Sequence, residues 1–298
     1  MAQLIEEEGS RPAGAWEAAT VPQAARSRGS RAGRRWGPWL AIGFIALLTL
    51  IGLLAPFLAP YDPIKQDLSN PIGGPTLQHL LGTDEFGRDV LSRLIWGTRP
   101  ALIGTLVAVV TACAIGLPWG LVAGYLGDTV DLVLMRIADA LLVLPGLVIA
   151  LAITTALGSN LVNAMLAVGI VFSPVVARVL RSGVITVRDR EYVVVTRMYG
   201  LPARHRMLRH VLPNALAPAL IQITLLAGIS FLAQAALGFL GIGVSPPYPS
   251  WGNSLSSAYK YIIVDPAAVL APGIVIVITV LAVYRIGDAL RDRLEIPT

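Results

Sequence analysis

The chain has 298 residues, 55% of them hydrophobic and only 14% charged, with a mean hydropathy of +0.70. These proportions exclude a water-soluble domain, which needs a wetter surface. A net charge of +5 and a pI near 9.7 do not mark a nucleic-acid binder, because the bases sit in short stretches between long apolar runs. The one cysteine, Cys113, lies inside such a run and excludes a disulfide or thiolate metal framework.

Residues 1–38 are rich in Ala, Gly, Ser, Pro and Arg and lack the apolar content to fold alone, so they read as a flexible cytoplasmic tail. The apolar run that follows is too long for the hydrophobic region of a signal peptide and reads as a retained anchor. About 20 apolar residues cross a bilayer as a helix. On that rule the sequence predicts six spans, at 39–59, 101–125, 134–157, 161–180, 214–240 and 266–286, with Gly158-Ser159-Asn160 turning the chain between the third and fourth. The expected fold is therefore an all-α integral membrane protein. Its organisation is a tail (1–38), a first span with an external segment (39–99), a five-helix core (100–290) carrying a loop at 182–213, and a short tail (291–298).

Arginine placement orients this arrangement. Arg11, Arg26, Arg28, Arg31, Arg34 and Arg35 precede the first span, and Arg285, Arg291 and Arg293 follow the last. Eight more (Arg178, Arg181, Arg188, Arg190, Arg197, Arg204, Arg206, Arg209) fall between the uncharged run ending at Ala177 and the one beginning at Val211, against only Asp189 and Glu191. The positive-inside rule puts all three groups, and both termini, in the cytoplasm. Residues 61–99 and 241–265 are then external.

Catalytic signatures are missing. Lys65 and Lys260 are the only lysines and neither follows a glycine, so there is no phosphate-binding G-x-x-x-x-G-K-[ST] loop. His79, His205 and His210 form no H-E-x-x-H pair, and no G-x-S-x-G turn occurs. Asp139, three residues after Arg136, reads as half of an i,i+3 ion pair at a helix end. Energy for transport would have to enter from outside the spans, and the basic loop is the place to receive it. Within that loop Tyr192, Val195 and Tyr199 share one helical face, Gly200 and Pro202 stop the helix, and a second short helix is expected from Ala203 to His210 before Leu212-Pro213 opens the next span. A plain basic loop lying on anionic lipid fits the same charges.

The loop also resembles the EAA motif of inner-membrane permease subunits of binding-protein-dependent ABC importers, with Gly200 as its glycine and Leu212-Pro213 as its closing pair. HLLGTDEFGRDVLSRLIWGTR (His79–Arg99), MRIADALLVLPGL (Met135–Leu147) and GFLGIGVSPPYPSWGN (Gly238–Asn253) are similar, in wording and order, to the C-type subunit of the dipeptide, oligopeptide and nickel group. The resemblance spans roughly Leu40 to Leu294 and departs where Val194-Val195-Thr196 stands for Glu-Ala-Ala. It implies a type I ABC importer permease fold in the bacterial inner membrane. The implied partners are membrane lipid, a second permease subunit, two cytoplasmic ATP-binding subunits that hold ATP and Mg, and an external substrate-binding protein. No catalytic, cofactor or metal residue is expected in this chain, and no nucleic acid. The ATPase-coupling residues would be Glu191, Thr196, Arg197, Gly200, Arg204, Arg209 and Pro213. Gly116, Gly120 and Gly124, four residues apart, would pack the second span against another helix of this chain or of the partner. Gly238, Gly241 and Gly243 with Pro246, Pro247 and Pro249 would form an external hinge or docking surface, with a structural loop as the alternative, and Trp251 would lie in the same external loop. A membrane scaffold or an exporter half is the other function class.

Overall fold

Every regular element is a helix among the described residues, which in this computed structural model are 31–294. Residues 37–294 belong to one compact unit. Residues 1–30 and 295–298, with most of the expected tails, lie outside the described part. The helices are α1 (Arg31–Leu53), α2 (Ala55–Leu58), α3 (Val90–Leu126), α4 (Asp128–Val143), α5 (Gly146–Leu157), α6 (Leu161–Arg188), α7 (Glu191–Met198), α8 (Ala203–Arg206), α9 (Leu212–Phe239), α10 (Trp251–Tyr259) and α11 (Pro266–Leu294).

Among the described residues, four helical stretches are long and apolar enough to cross a membrane: α3, α6, the continuous run Ala203–Phe239, and α11. Pairing α4 with α5 makes a fifth, but the two helices meet at 92°. The single helix expected over 134–157 is thus corrected to two. Pro145 lacks an N–H, and its ring keeps Leu144 extended (φ −82°, ψ 143°), so α4 cannot continue. The apolar part of α1, Gly37–Leu53, is shorter than a full span.

The second span also begins earlier than expected. Asp89 caps α3, its carboxylate accepting from Ser92 N–H at 2.7 Å, and Pro100 lies within the helix instead of opening it. Hydropathy detects hydrocarbon, whereas this helix extends past it into the loop over residues 61–89. There Asp84 accepts from Arg88 Nε at 2.7 Å, and Arg93 Nη1 donates to the carbonyls of Pro63 (2.9 Å) and Pro247 (3.2 Å). Arg99 donates from Nε to Gly52 O (2.6 Å) and from Nη2 to Leu53 O (3.1 Å), serving carbonyls left free at the end of α1.

The α3–α6 contact is the backbone of the unit. Gly116, Gly120 and Gly124 line it: a Cβ at Gly116 would come within 2.6 Å of Ser173 O, one at Gly120 would fall on the Ala177 carbonyl, and one at Gly124 would lie 2.8 Å from Val184 Cβ. The stripe therefore meets a helix of the same chain. Close backbone approach suits a membrane, where dispersion instead of hydrophobic expulsion holds helices together.

Candidate functional site

The basic segment between α6 and α9 is built on an apolar knot. Val193 is the one buried residue of α7, and it joins Leu121 of α3, Leu180, Val184 and Val187 of α6, Val211 just before α9, and Ala215 and Ala219 at its start. A short surface helix is thereby tied to the same-side ends of three long ones. Three of the eight arginines are also spent internally. Arg181 makes a bidentate pair with Asp131, Arg178 pairs with Asp139, and Arg188 Nη1 donates to Gly124 O at 2.7 Å, at the end of α3. The i,i+3 pairing of Asp139 with Arg136 is therefore corrected: Asp139 reaches across to α6.

Gly200 ends α7 in a left-handed turn, φ +73°. Gly200 N–H donates to Arg197 O (3.0 Å) and Leu201 N–H to Thr196 O (3.2 Å), the paired bonds of a Schellman cap. Nothing lies within 4 Å of the place a Cβ would occupy, so the need for glycine is conformational, not steric. The Thr196 hydroxyl donates to Val193 O at 2.6 Å within the helix.

Beyond Pro202 the expected separate helix over Ala203–His210 is corrected. α8 passes through a wide π turn, Met207–Val211, directly into α9, giving one continuous run from Ala203. Pro213 has no N–H to give the preceding turn. The wider turn and the bond from Asn214 Nδ2 to His210 O (2.7 Å) accommodate it.

The outer face of this element is open and amphipathic. Tyr192, Val195, Met198 and Tyr199 are exposed, the last two at 81%, and Glu191, Arg197, Arg204 and Arg209 stand in solvent around them. Pro202, Arg204, His205, Leu208, Arg209 and Pro213 line an adjoining groove of about 560 Å³. Large apolar residues are thus exposed here among cations. The sequence pattern placed the exposed stripe; it missed Val193 as the anchor and Asp131 and Asp139 as partners of the arginines.

At the opposite end, Gly241 repeats the cap: φ +81°, Gly241 N–H to Gly238 O (3.0 Å) and Ile242 N–H to Leu237 O (2.8 Å). Pro246 and Pro247 are exposed and joined by a cis peptide bond. Trp251, expected in the same external loop, instead opens α10 and turns inward. It is 4% exposed, stacks on Phe231 with centroids 6.5 Å apart, and donates from Nε1 to Leu94 O at 3.0 Å. Ser250 caps α10 beside it through Asn253 N–H.

Comparison with known proteins gives a consistent result. Residues 116–296 match the model of the binding-protein-dependent transport system inner membrane component, and residues 34–78 that of the N-terminal TM domain of oligopeptide transport permease C. The chain is similar to the dipeptide transport system permease protein DppC of Alkalihalophilus pseudofirmus, at 40% identity over 86% of this chain and 85% of the relative. It is 42% identical to the di/tripeptide transport system permease protein DppC of Pseudomonas aeruginosa over 85% of each. With the glutathione transport system permease protein GsiD of Escherichia coli it shares 36% over 85% of this chain and 84% of the relative. Among solved structures, a chain of the MetNI methionine ABC transporter in inward-facing form has the same fold, with a TM-score of 0.58 and 18% identity over 68% of this chain and 97% of that one. A helical bundle with a tethered basic element, matched over most of its length by these relatives, places the chain in the binding-protein-dependent transport system inner membrane component family.

Proposed function

We propose that this multi-pass inner-membrane subunit forms half of the translocation path of an ATP-driven peptide importer. The observation that carries the reading is the tether: α7 presents an exposed apolar and basic face, while Val193 fixes it to the ends of α3, α6 and α9. A partner that moves α7 moves those helices with it as a rigid body. The relatives named for dipeptides, di/tripeptides and glutathione support a peptide substrate over a nickel complex.

In this reading α1 with α2, α3, α4 with α5, α6, the run from Ala203 through α9, and α11 make six crossings, and both termini lie in the cytoplasm with the α6–α9 element. A second permease subunit completes the path. Two ATP-binding subunits dock on Glu191–Pro213, with Glu191, Thr196, Arg197, Gly200, Arg204, Arg209 and Pro213 shaping the contact, and they hold the ATP and Mg. An external binding protein delivers the peptide. The chain itself hydrolyses nothing, since it has no phosphate-binding lysine loop.

The test is reconstitution in proteoliposomes. The full complex with its binding protein takes up radiolabelled dialanine only with ATP, and the purified chain alone shows background ATPase. ATP hydrolysis by the isolated chain, or no ATP-dependent uptake by the complex, would contradict the proposal.

A further inference from the structure

The break between α4 and α5 packs against the middle of α6. A Cβ at Gly146 would touch Val171 Cγ1 at 3.1 Å, which sets the register of α5 on α6. Val171 stands midway along α6 between Leu161, where the helix begins, and Arg181, bound to Asp131. At 1.5 Å per residue it is about 15 Å from each, and a hydrocarbon core is about 30 Å thick. The chain thus turns through 92° beside the middle of the apolar part of α6.

A helix interrupted there cannot face lipid. The last carbonyls of α4 and the first N–H groups of α5 have no partners within their own helices, and hydrocarbon offers none. Pro145 O takes up Val148 N–H (2.9 Å) and Ile149 N–H (3.2 Å), which leaves Gly146 and Leu147 at the open start of α5. The flanking side chains are uncovered by the rest of the subunit: Val143 is 80% exposed, Leu144 56%, Leu147 47% and Val148 59%. Irregular backbone at this depth persists only where it is buried in protein or lines water, and this subunit does not bury it.

We infer that the Val143–Val148 break lines the water-filled path and offers its free backbone donors and acceptors to the main chain of a peptide in transit. This rests on the peptide-importer reading above. The chemistry suits that cargo: amide-to-amide hydrogen bonds ignore the cargo's side chains, while the surrounding Val and Leu residues give contact without charge, and a broken helix at the midplane is a recurrent way to build such a site.

The test uses the assembled complex in a Cys113→Ser background, with Val143→Cys, Leu144→Cys and Leu147→Cys, and with Leu47→Cys on α1 as the lipid-facing control. A small cationic methanethiosulfonate reagent reacts with the thiolate, which forms in water and not in hydrocarbon. The expected result is modification at the three break positions at least about tenfold faster than at Leu47→Cys, with modification blocking dialanine uptake. Rates equal to the control at all three positions, in a complex that still takes up dialanine, would overturn the inference and mean that lipid or the partner subunit covers the break. Rapid labelling at the break in a complex that takes up no dialanine would instead overturn the peptide reading and leave the water-filled break standing.

Discussion

Gly120 and Gly200 are the same residue type doing unrelated work. Gly120 sits where helix α3 touches the Ala177 carbonyl, in ordinary helical conformation, and a side chain there has no room. Gly200 has open space around it but a positive φ, so a side chain has room and the backbone does not suit it. Substitutions should separate the two. Gly120→Val must push α3 off α6, and overpacking of this kind costs about 1–3 kcal/mol; the expected result is lower membrane abundance and a lower melting temperature in detergent. Gly200→Val should leave membrane abundance near wild type, because only an exposed turn must reset and the spans still pack. Equal abundance and melting temperature for Gly120→Val and wild type would contradict the packing account. The spacing of Gly116, Gly120 and Gly124 was readable in the sequence, as was the Gly-x-Pro stop at Gly200. What the stripe packs against was not, because a period-four pattern names a face and leaves its partner open.

At the scale of elements, α4 is attached to α6 by two ion pairs, Asp131 with Arg181 and Asp139 with Arg178. Both are partly exposed, so each is worth about 1 kcal/mol or less, well below the figure for a buried pair. Their use is to fix α4's position, which apolar packing alone leaves loose: Ala138 is its one buried residue. Arg181→Asp should therefore loosen α4, and Asp131→Arg in the same chain should restore part of the loss. Limited proteolysis near Asp128 would report it; equal cleavage of single and double variants would show that the pair positions nothing. The sequence called each run of charge by its topology, and that reading hid these contacts, since an arginine kept on one side of a membrane also has neighbours there. The break at Leu144-Pro145-Gly146 was legible in principle from its Pro-Gly pair. Hydropathy passes over it, because proline and glycine inside an apolar run barely lower the mean. The start of α3 was missed for the converse reason: residues 90–99 are helical, but Arg93 and Arg99 interrupt the uncharged run, and the segment is held by a cap and by Arg93.

For the whole molecule, the account requires the Asp67–Asp89 loop and the Glu191–Arg209 element to face opposite sides of the membrane. Exposure decides which positions report this. Asp84 and Trp251 are poor probes, one tied to Arg88 and the other buried, whereas Leu77 is 99% exposed and Tyr199 81%. With Cys113→Ser, Leu77→Cys should label from outside with an impermeant thiol reagent and Tyr199→Cys only after the membrane is opened. The reverse pattern would invert the topology.

The central claim is that Glu191–Pro213 converts ATP hydrolysis by a partner into movement of the spans, and Gly200 is its most exposed geometric requirement. The decisive measurement is the number of dialanine molecules taken up per ATP hydrolysed by reconstituted complex carrying Gly200→Val, beside wild type and Arg204→Ala. A non-glycine residue in a left-handed turn costs about 1–2 kcal/mol, more when β-branched, so the turn after α7 should re-form at another angle while the spans stay inserted. The account predicts normal insertion, persistent ATP hydrolysis, uptake per ATP reduced about tenfold or more in Gly200→Val, and a smaller loss in Arg204→Ala. Wild-type uptake per ATP in Gly200→Val would show that the segment is a topological spacer and not the coupling element.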